Sequence, residues 1–183
     1  MSKKVKISIK GNEFLIPSES IQECSYDKVT YVHMRAKLVA SIIKQFVKKN
    51  YPQLKVWGSS DVYSGGSSVR VEVCNTDGSP VNSSIFEKIS EWKHILQGGT
   101  FNGMIDMYES REDSPSTDKG TPMKYFPSYV FIENKPKWGT PEYWLNQWNE
   151  LKDNYVNSND FLNQNKTYMT DKEFEKVSNL NLV

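Results

Sequence analysis

Chemistry in this chain has few places to start. Its two cysteines and two histidines are Cys24, Cys74, His33 and His94. No two of them stand at a metal-ligand spacing such as CxxC or HxxxH, so they read as surface histidines and small buried cysteines, and neither a metal nor a cofactor is expected. Cys74 at a strand end and His94 on the next helix form the one candidate nucleophile–base pair, without a third group to orient the base. Asp77 and Asp106 stand near turn or strand boundaries. An aspartate in Thr76-Asp77-Gly78 ordinarily bonds its own backbone and holds the turn, and paired acid–base work needs a separation the sequence does not fix. Gly65-Gly66 and Gly98-Gly99 match neither the P-loop nor the GxGxxG spacing, so no phosphate cradle is visible. No catalytic residue is assigned, and the chain is expected not to be an enzyme.

Residues suited to binding are more numerous. Lys37, Lys44 and Lys48 share a helical face by their spacing of seven and four, with Lys49 nearby, and Trp57 or Trp138 could stack bases. The same face reads equally as the solvated side of an amphipathic helix. Near the C-terminus Tyr143, Trp144 and Trp148, with Trp138 ahead of them, are candidate anchors of a partner interface, because Trp and Tyr dominate hot spots. Packing favours Trp144 and Trp148 as core and leaves Tyr143 open.

The elements that must position these residues follow from period and punctuation. Val5, Ile7 and Ile9 alternate with polar residues, Gly11-Asn12 turns the chain and Pro17 stops it, predicting a hairpin over 4–16. A polar connector over 17–28 precedes a helix predicted over 29–50, its stripe Val32, Ala36, Val39, Ile43, Phe46 and Val47 widened by Leu38 and Ile42. Strands are predicted over 54–62 and 67–73, with Val69, Val71 and Val73 on the packed face. A second helix over 83–96 buries Ile85, Ile89, Trp92 and Leu96. Ser84 and Glu87 have capping-box spacing, and Gly98-Gly99 is read as a left-handed end. Further strands are expected over 101–109 and 123–133, the second with Tyr129 and Phe131, extending to Tyr125, on one face and Pro127 forcing an edge position or a break. Between them residues 110–120, rich in charge and hydroxyls, are expected to be a mobile loop.

Thr140-Pro141-Glu142 starts a helix whose Trp144, Trp148 and Leu151 form one stripe. That stripe is expected to pack on the preceding domain or across a homodimer interface. Residues 154–166 are loosely patterned, and Thr170 with Glu173 caps a last short helix carrying Phe174 and Val177. The fold class is α+β: an antiparallel sheet covered by two helices in the order α-β-β-α-β-β, with an N-terminal hairpin and a helical extension. The domain reading is 1–28, 29–135 and 136–183. The predicted core is Val39, Ile43, Val69, Val71, Ile85, Ile89, Trp92 and Phe131.

Composition closes off several function classes. With 23 Lys+Arg against 22 Asp+Glu the net charge is +1, which excludes an all-over basic coat, although a local basic patch is compatible with it. Apolar residues are 37% and aromatics 13%, so rings must carry much of the burial. No apolar run approaches the ~18 residues of a membrane span, and no secretion signal is visible. Two cysteines are too few for a disulfide scaffold and fit a reducing cytosol.

One series of short motifs narrows the reading. Met34-Arg35-Ala36-Lys37-Leu38 runs on to Lys48-Lys49-Asn50-Tyr51-Pro52. Ser68-Val69-Arg70-Val71-Glu72-Val73 and Thr76-Asp77-Gly78 follow. Next come Gly98-Gly99-Thr100-Phe101-Asn102-Gly103-Met104-Ile105-Asp106 and, after Gly120, Tyr129-Val130-Phe131. Over residues 30–133 this resembles the large polyvalent protein-associated domain 29 family of phages, prophages and conjugative elements. The chain departs from the family pattern in having Asn75 in place of Trp, Ser79 before Pro80, and Asn102 where the family favours Asp. The resemblance implies an α+β fold and a mobile-element origin, and carries over no functional residue.

The leading expectation is thus a non-enzymatic accessory protein that binds a host protein, an anti-defence factor in the manner of a CRISPR inhibitor. The alternative is a nucleic-acid-binding accessory protein using Lys37, Lys44, Lys48 and Lys49. An enzyme using Cys74 or Asp77 with Asp106 ranks last.

Overall fold

The computed structural model describes residues 3–102, 104, 107–113 and 115–179. Strands β1 (Lys4–Ile9) and β2 (Asn12–Pro17) pair antiparallel from Lys4↔Pro17 to Ile9↔Asn12. Their turn has positive φ at both Lys10 (52°) and Gly11 (71°), the twist-matched arrangement for a two-residue hairpin. The inward face of the hairpin places Ile9, Phe14 and Ile16 in the main core.

Within the expected connector, β3 (Ile21–Glu23) pairs with β4 (Thr30–His33), which runs parallel to β9 (Met123–Lys124). The first helix therefore starts later than its predicted residue 29. Residues 30–33 are extended, because Thr30, Tyr31 and Val32 are strong strand formers and a neighbouring strand takes up their backbone groups. Helix α1 (Ala36–Asn50) buries Leu38, Val39, Ile42, Ile43, Phe46 and Val47, on more than one side as the widened stripe predicted.

The central sheet has the order β10-β6-β5, from β5 (Lys55–Tyr63), β6 (Gly66–Cys74) and β10 (Tyr129–Glu133). β5 and β6 are antiparallel, but β10 runs parallel to β6, with Val130 beside Val69 and Ile132 beside Val71, so the α+β sheet is mixed. Helices α1 and α2 (Ser83–Leu96) pack with its inner face. Val39, Ile43, Val69, Val71, Ile89 and Trp92 are buried together, and Ile85 packs half-buried against them.

Phe131 is the exception to the predicted core. The parallel register turns Val130 and Ile132 inward and leaves Phe131 44% exposed. The strand expected over 123–133 is broken after β9, with Tyr125 at φ 60° and Pro127 in the gap, and β10 is an edge strand.

Three local readings change. Helix α2 is capped by the Asn82 side chain, which accepts from the Ser84 N–H, in place of a Ser84–Glu87 box. Gly98 and Gly99 do not form a left-handed cap. A Cβ at Gly98 would lie 3.2 Å from the Phe126 and Pro127 carbonyl oxygens, and one at Gly99 would collide with the Glu109 backbone, so close chain approach is what requires glycine there. The strand expected over 101–109 is a hairpin of β7 (Gly99–Asn102) and β8 (Met107–Ser110); Gly103 and Asp106 lie outside the described residues.

The described part of the expected mobile loop is docked. The Asp118 carboxylate accepts from the Lys10 and Gly11 N–H groups at 2.8 and 2.9 Å, and Asp118 N–H donates to the Ser8 carbonyl. Arg111 grips Asp113 and the carbonyls of Ile95 and Gln97. Thr117 is buried. Polar composition foretold no apolar anchor, and hydrogen bonds supply the anchor instead.

Helix α3 (Pro141–Leu151) is capped by Thr140 with Pro141 in its first turn, as predicted. Helix α4 (Ser158–Asn165), capped by Asn157, arises in the loosely patterned stretch, and α5 (Asp171–Ser178) has the predicted capping box of Thr170 and Glu173. Trp144 and Trp148 pack with Phe161, Leu162 and Val177 as a second apolar cluster. The aromatic stripe is thus covered by α4 and α5, not by the central sheet, and Leu151 stays at its exposed margin. The extension meets the rest of the chain at the Gly78 turn, where a Cβ would strike the Glu142 carbonyl, and through the 3.0 Å Lys55–Glu142 ion pair.

Candidate functional site

Alternation along β5, β6 and β10 sends every second residue away from the helices, and register aligns those residues in rows. Trp57, Glu72 and Glu133 form one row; Ser59, Arg70 and Phe131 the next; Asp61, Ser68 and Tyr129 the third. Tyr63 closes the face, its ring against Gly66. Tyr129 and Phe131 are near-parallel, 16° apart with centroids at 6.1 Å, and Tyr108 of β8 meets Tyr129 edge-on at 5.6 Å. The Tyr108 hydroxyl donates to the Ser128 carbonyl, which fixes that ring.

Arg70 stands in the middle of this face. Its guanidinium is 6.0 Å from the Phe131 ring centroid, its Nε is 4.0 Å from Glu133 Oε2, and its side chain is 52% exposed. Lys135 Nζ holds the same Glu133 oxygen at 3.2 Å. Glu72 is only 7% exposed. Burial first, and the Glu133 carboxylate second, push its acid above the ordinary glutamate range, while Lys137, Arg70 and Lys135 pull it back. Beside β10 a groove of about 680 Å³ runs past Tyr129 and Phe131 to Lys93, His94 and Arg111. Flat rings, an exposed arginine and a largely neutralised carboxylate can hold an apolar or aromatic anchor together with a hydrogen-bond acceptor.

The residues singled out in the sequence scatter around the molecule. Cys74 is fully buried; burial first, then Glu142 and Asp77, drives its thiol up to about 12, so it offers no thiolate near neutral pH. His94 sits in the last turn of α2, about 16 Å along the axis from the start of that helix, and the structure does not bring it to Cys74. Asp77 accepts from the Ser79 N–H and hydroxyl, and these bonds hold its acid below the ordinary range, as expected of a turn aspartate. His33 packs between Tyr31 and Tyr125, with Nδ1 3.1 Å from Gln22 Oε1, and burial lowers its pKa. Trp144 and Trp148 lie inside the second cluster, Tyr143 is half-buried at its edge, and Trp138 is 63% exposed with its ring 6.5 Å from that of Tyr143. Lys37, Lys48 and Lys49 are exposed on α1, while the Lys44 stem lies over Gly58 of β5.

Alternation in β6 put Arg70 on the solvated face, but sequence reasoning missed that Phe131 and Tyr129 lie on that face with it. The alternation of rings with Val130 and Ile132 was the one local signal, and it does not say which set faces in.

The large polyvalent protein associated domain 29 family model matches residues 34–136. The chain belongs to that family. The domain 29 match makes it a phage- or mobile-element-associated protein. It takes in α1 and the whole open sheet face, whereas the N-terminal hairpin and helices α3–α5 lie outside it. No curated protein and no solved structure matches the chain.

Proposed function

We propose that this domain 29 protein is a non-enzymatic accessory factor of a phage or mobile element that binds a host protein on the open face of its central sheet. The carrying observation is the run of rings Tyr63, Tyr108, Tyr129 and Phe131, with Arg70 against Phe131, on the sheet face opposite α1 and α2. Tyr, Trp and Arg are the residue types that dominate binding energy at protein interfaces, and a patch of rings rimmed by charge is the usual form of such a site. Lys135, paired with Glu133 at 3.2 Å, adds a cation at the margin of this face.

The partner's class rests on the mobile-element setting: such an accessory protein most directly serves its element by occupying a component of host defence. The test is phage plating efficiency on a defence-carrying host that expresses the protein. The wild type should protect the phage and co-purify with one defence component. The Arg70→Ala/Phe131→Ala variant should lose both, since each truncated hot-spot side chain costs roughly 2 kcal/mol or more. Full protection by that variant, with unchanged folding, would overturn the assignment of this face.

A further inference from the structure

Charge is unevenly distributed along the chain. Residues 3–17 and 36–50 carry eight lysines and a single acid, Glu13, whereas the remainder carries 15 Lys+Arg against 21 Asp+Glu. The fold joins the two basic stretches. The Gln45 side chain accepts from the Leu15 N–H and donates to the Leu15 carbonyl, at 2.9 and 3.0 Å, which ties the open edge of β2 to α1. Lys6, Lys48 and Lys49 then line one groove of about 470 Å³ with Leu15 and Gln45. Lys4 is on the same strand face as Lys6, and Lys44 is one helical turn before Lys48. Glu13 is taken up by Lys6 at 3.3 Å, and none of the ion pairs among the described residues uses Lys44, Lys48 or Lys49. Lysines in a last helical turn also complement the helix dipole. That accounts for Lys48 and Lys49, not for Lys6 lining the groove with them.

We infer that this ridge of β1, β2 and α1 is a seat for the phosphate backbone of a duplex nucleic acid. Charge complementarity carries the choice of occupant. Lys37 to Lys48 span about 16 Å along the helix, and Lys4 and Lys6 are about 7 Å apart on the strand, a length over which a nucleic-acid backbone presents several phosphates. A duplex presents one charge per about 1.7 Å of axis, the densest such run. A single strand is held chiefly by rings stacked on its bases, and the ring in this groove, Phe14, is buried. The contact is therefore sequence-independent. It uses residues separate from the open sheet face, so either reading can fail without the other.

The test is fluorescence anisotropy of the full chain with a labelled 20-base-pair DNA duplex over a range of salt. The logarithm of affinity should fall with the logarithm of salt concentration at a slope of about −4, as for some four to five phosphate contacts. Lys44→Gln/Lys48→Gln/Lys49→Gln should weaken binding at least about tenfold at low salt and make the slope shallower by about 3, one unit per lysine. Lys48→Glu alone, at an exposed position, should also weaken it. A triple variant at the exposed Lys88, Lys152 and Lys172 changes net charge equally and should leave slope and affinity as in the wild type. The proposal is overturned by no binding at low salt, by equal loss in both triple variants, by tighter binding to the matching single strand, or by binding to phosphatidylglycerol vesicles without binding to the duplex.

Discussion

Two buried titratable groups behave in ways their residue types alone would not suggest. Glu72 is covered on the open sheet face and sits beside Glu133, so its carboxyl group is held above the ordinary glutamate range. For an acid shifted upward, the stability gained by its protonated form is complete below the unfolded-state value and is lost as pH rises through the folded-state value. Glu72→Gln should therefore melt at a higher temperature than the wild type near neutral pH. The gap should close once the pH is below the ordinary glutamate range, as read from thermal melts across pH. A less stable variant at neutral pH would show that the Arg70, Lys135 and Lys137 charges outweigh burial. Cys74 has its thiol pushed up to about 12 and no exposed surface. In a mass-spectrometric alkylation assay the half-exposed Cys24 should be modified in the native protein, and Cys74 only after denaturant is added. Rapid native labelling of Cys74 would contradict its burial at the end of β6.

Several segments are held by a side chain standing in for a strand. Gln45 satisfies both backbone groups of Leu15 at the edge of β2, and Gln97 accepts from Val130 N–H at the edge of β10. Asp118 does the same for the hairpin turn, where Lys10 holds a positive φ that a lysine seldom adopts. Charge-assisted bonds to two N–H groups both fix that turn and dock the 115–122 segment on it. Asp118→Ala should cost about 1–2 kcal/mol in a urea titration, the lower end reflecting its exposure. It should also accelerate amide exchange at Lys10, Gly11 and across 115–122. Unchanged exchange in that segment would mean that other contacts hold it.

The apolar interior is divided. One cluster runs from Ile9 in the hairpin to Val130 in β10, and a second is confined to Trp144, Trp148, Phe161, Leu162 and Val177. The junction between them is the Gly78 turn pressed on the start of α3, with the Lys55–Glu142 pair beside it. A junction of that kind couples the two weakly, so each should open on its own. Trp148→Ala should remove roughly 3–5 kcal/mol from the helical cluster. Hydrogen exchange should then lose protection over 141–178 while Val69 to Val73 keep theirs. Simultaneous loss in both would establish one cooperative unit.

Local patterns were enough for the β1–β2 hairpin, the wide stripe of α1, the alternation of Val69, Val71 and Val73, and the caps at Thr140 and Thr170. In each case the residues that specify the element lie within one or two turns of it. That Lys37, Lys44 and Lys48 fall along one side of α1 was legible for the same reason, because helical spacing is a local quantity. The partner element decided the rest. Alternation in β10 marks two faces without saying which is inward, and rings suit either, so only pairing beside Val69 and Val71 put Phe131 outside and Val130 inside. Lys6 meets Lys48 only because Gln45 binds Leu15, thirty residues away in the chain. The glycines at 98 and 99 are required by the backbones of Phe126 and Glu109, which no window around them contains. The sequence thus determined the helices, the strand faces and the charge on α1. The open aromatic face and the basic ridge exist only where distant segments meet, because the register and hydrogen bonds that join them are set across the fold and not along the chain.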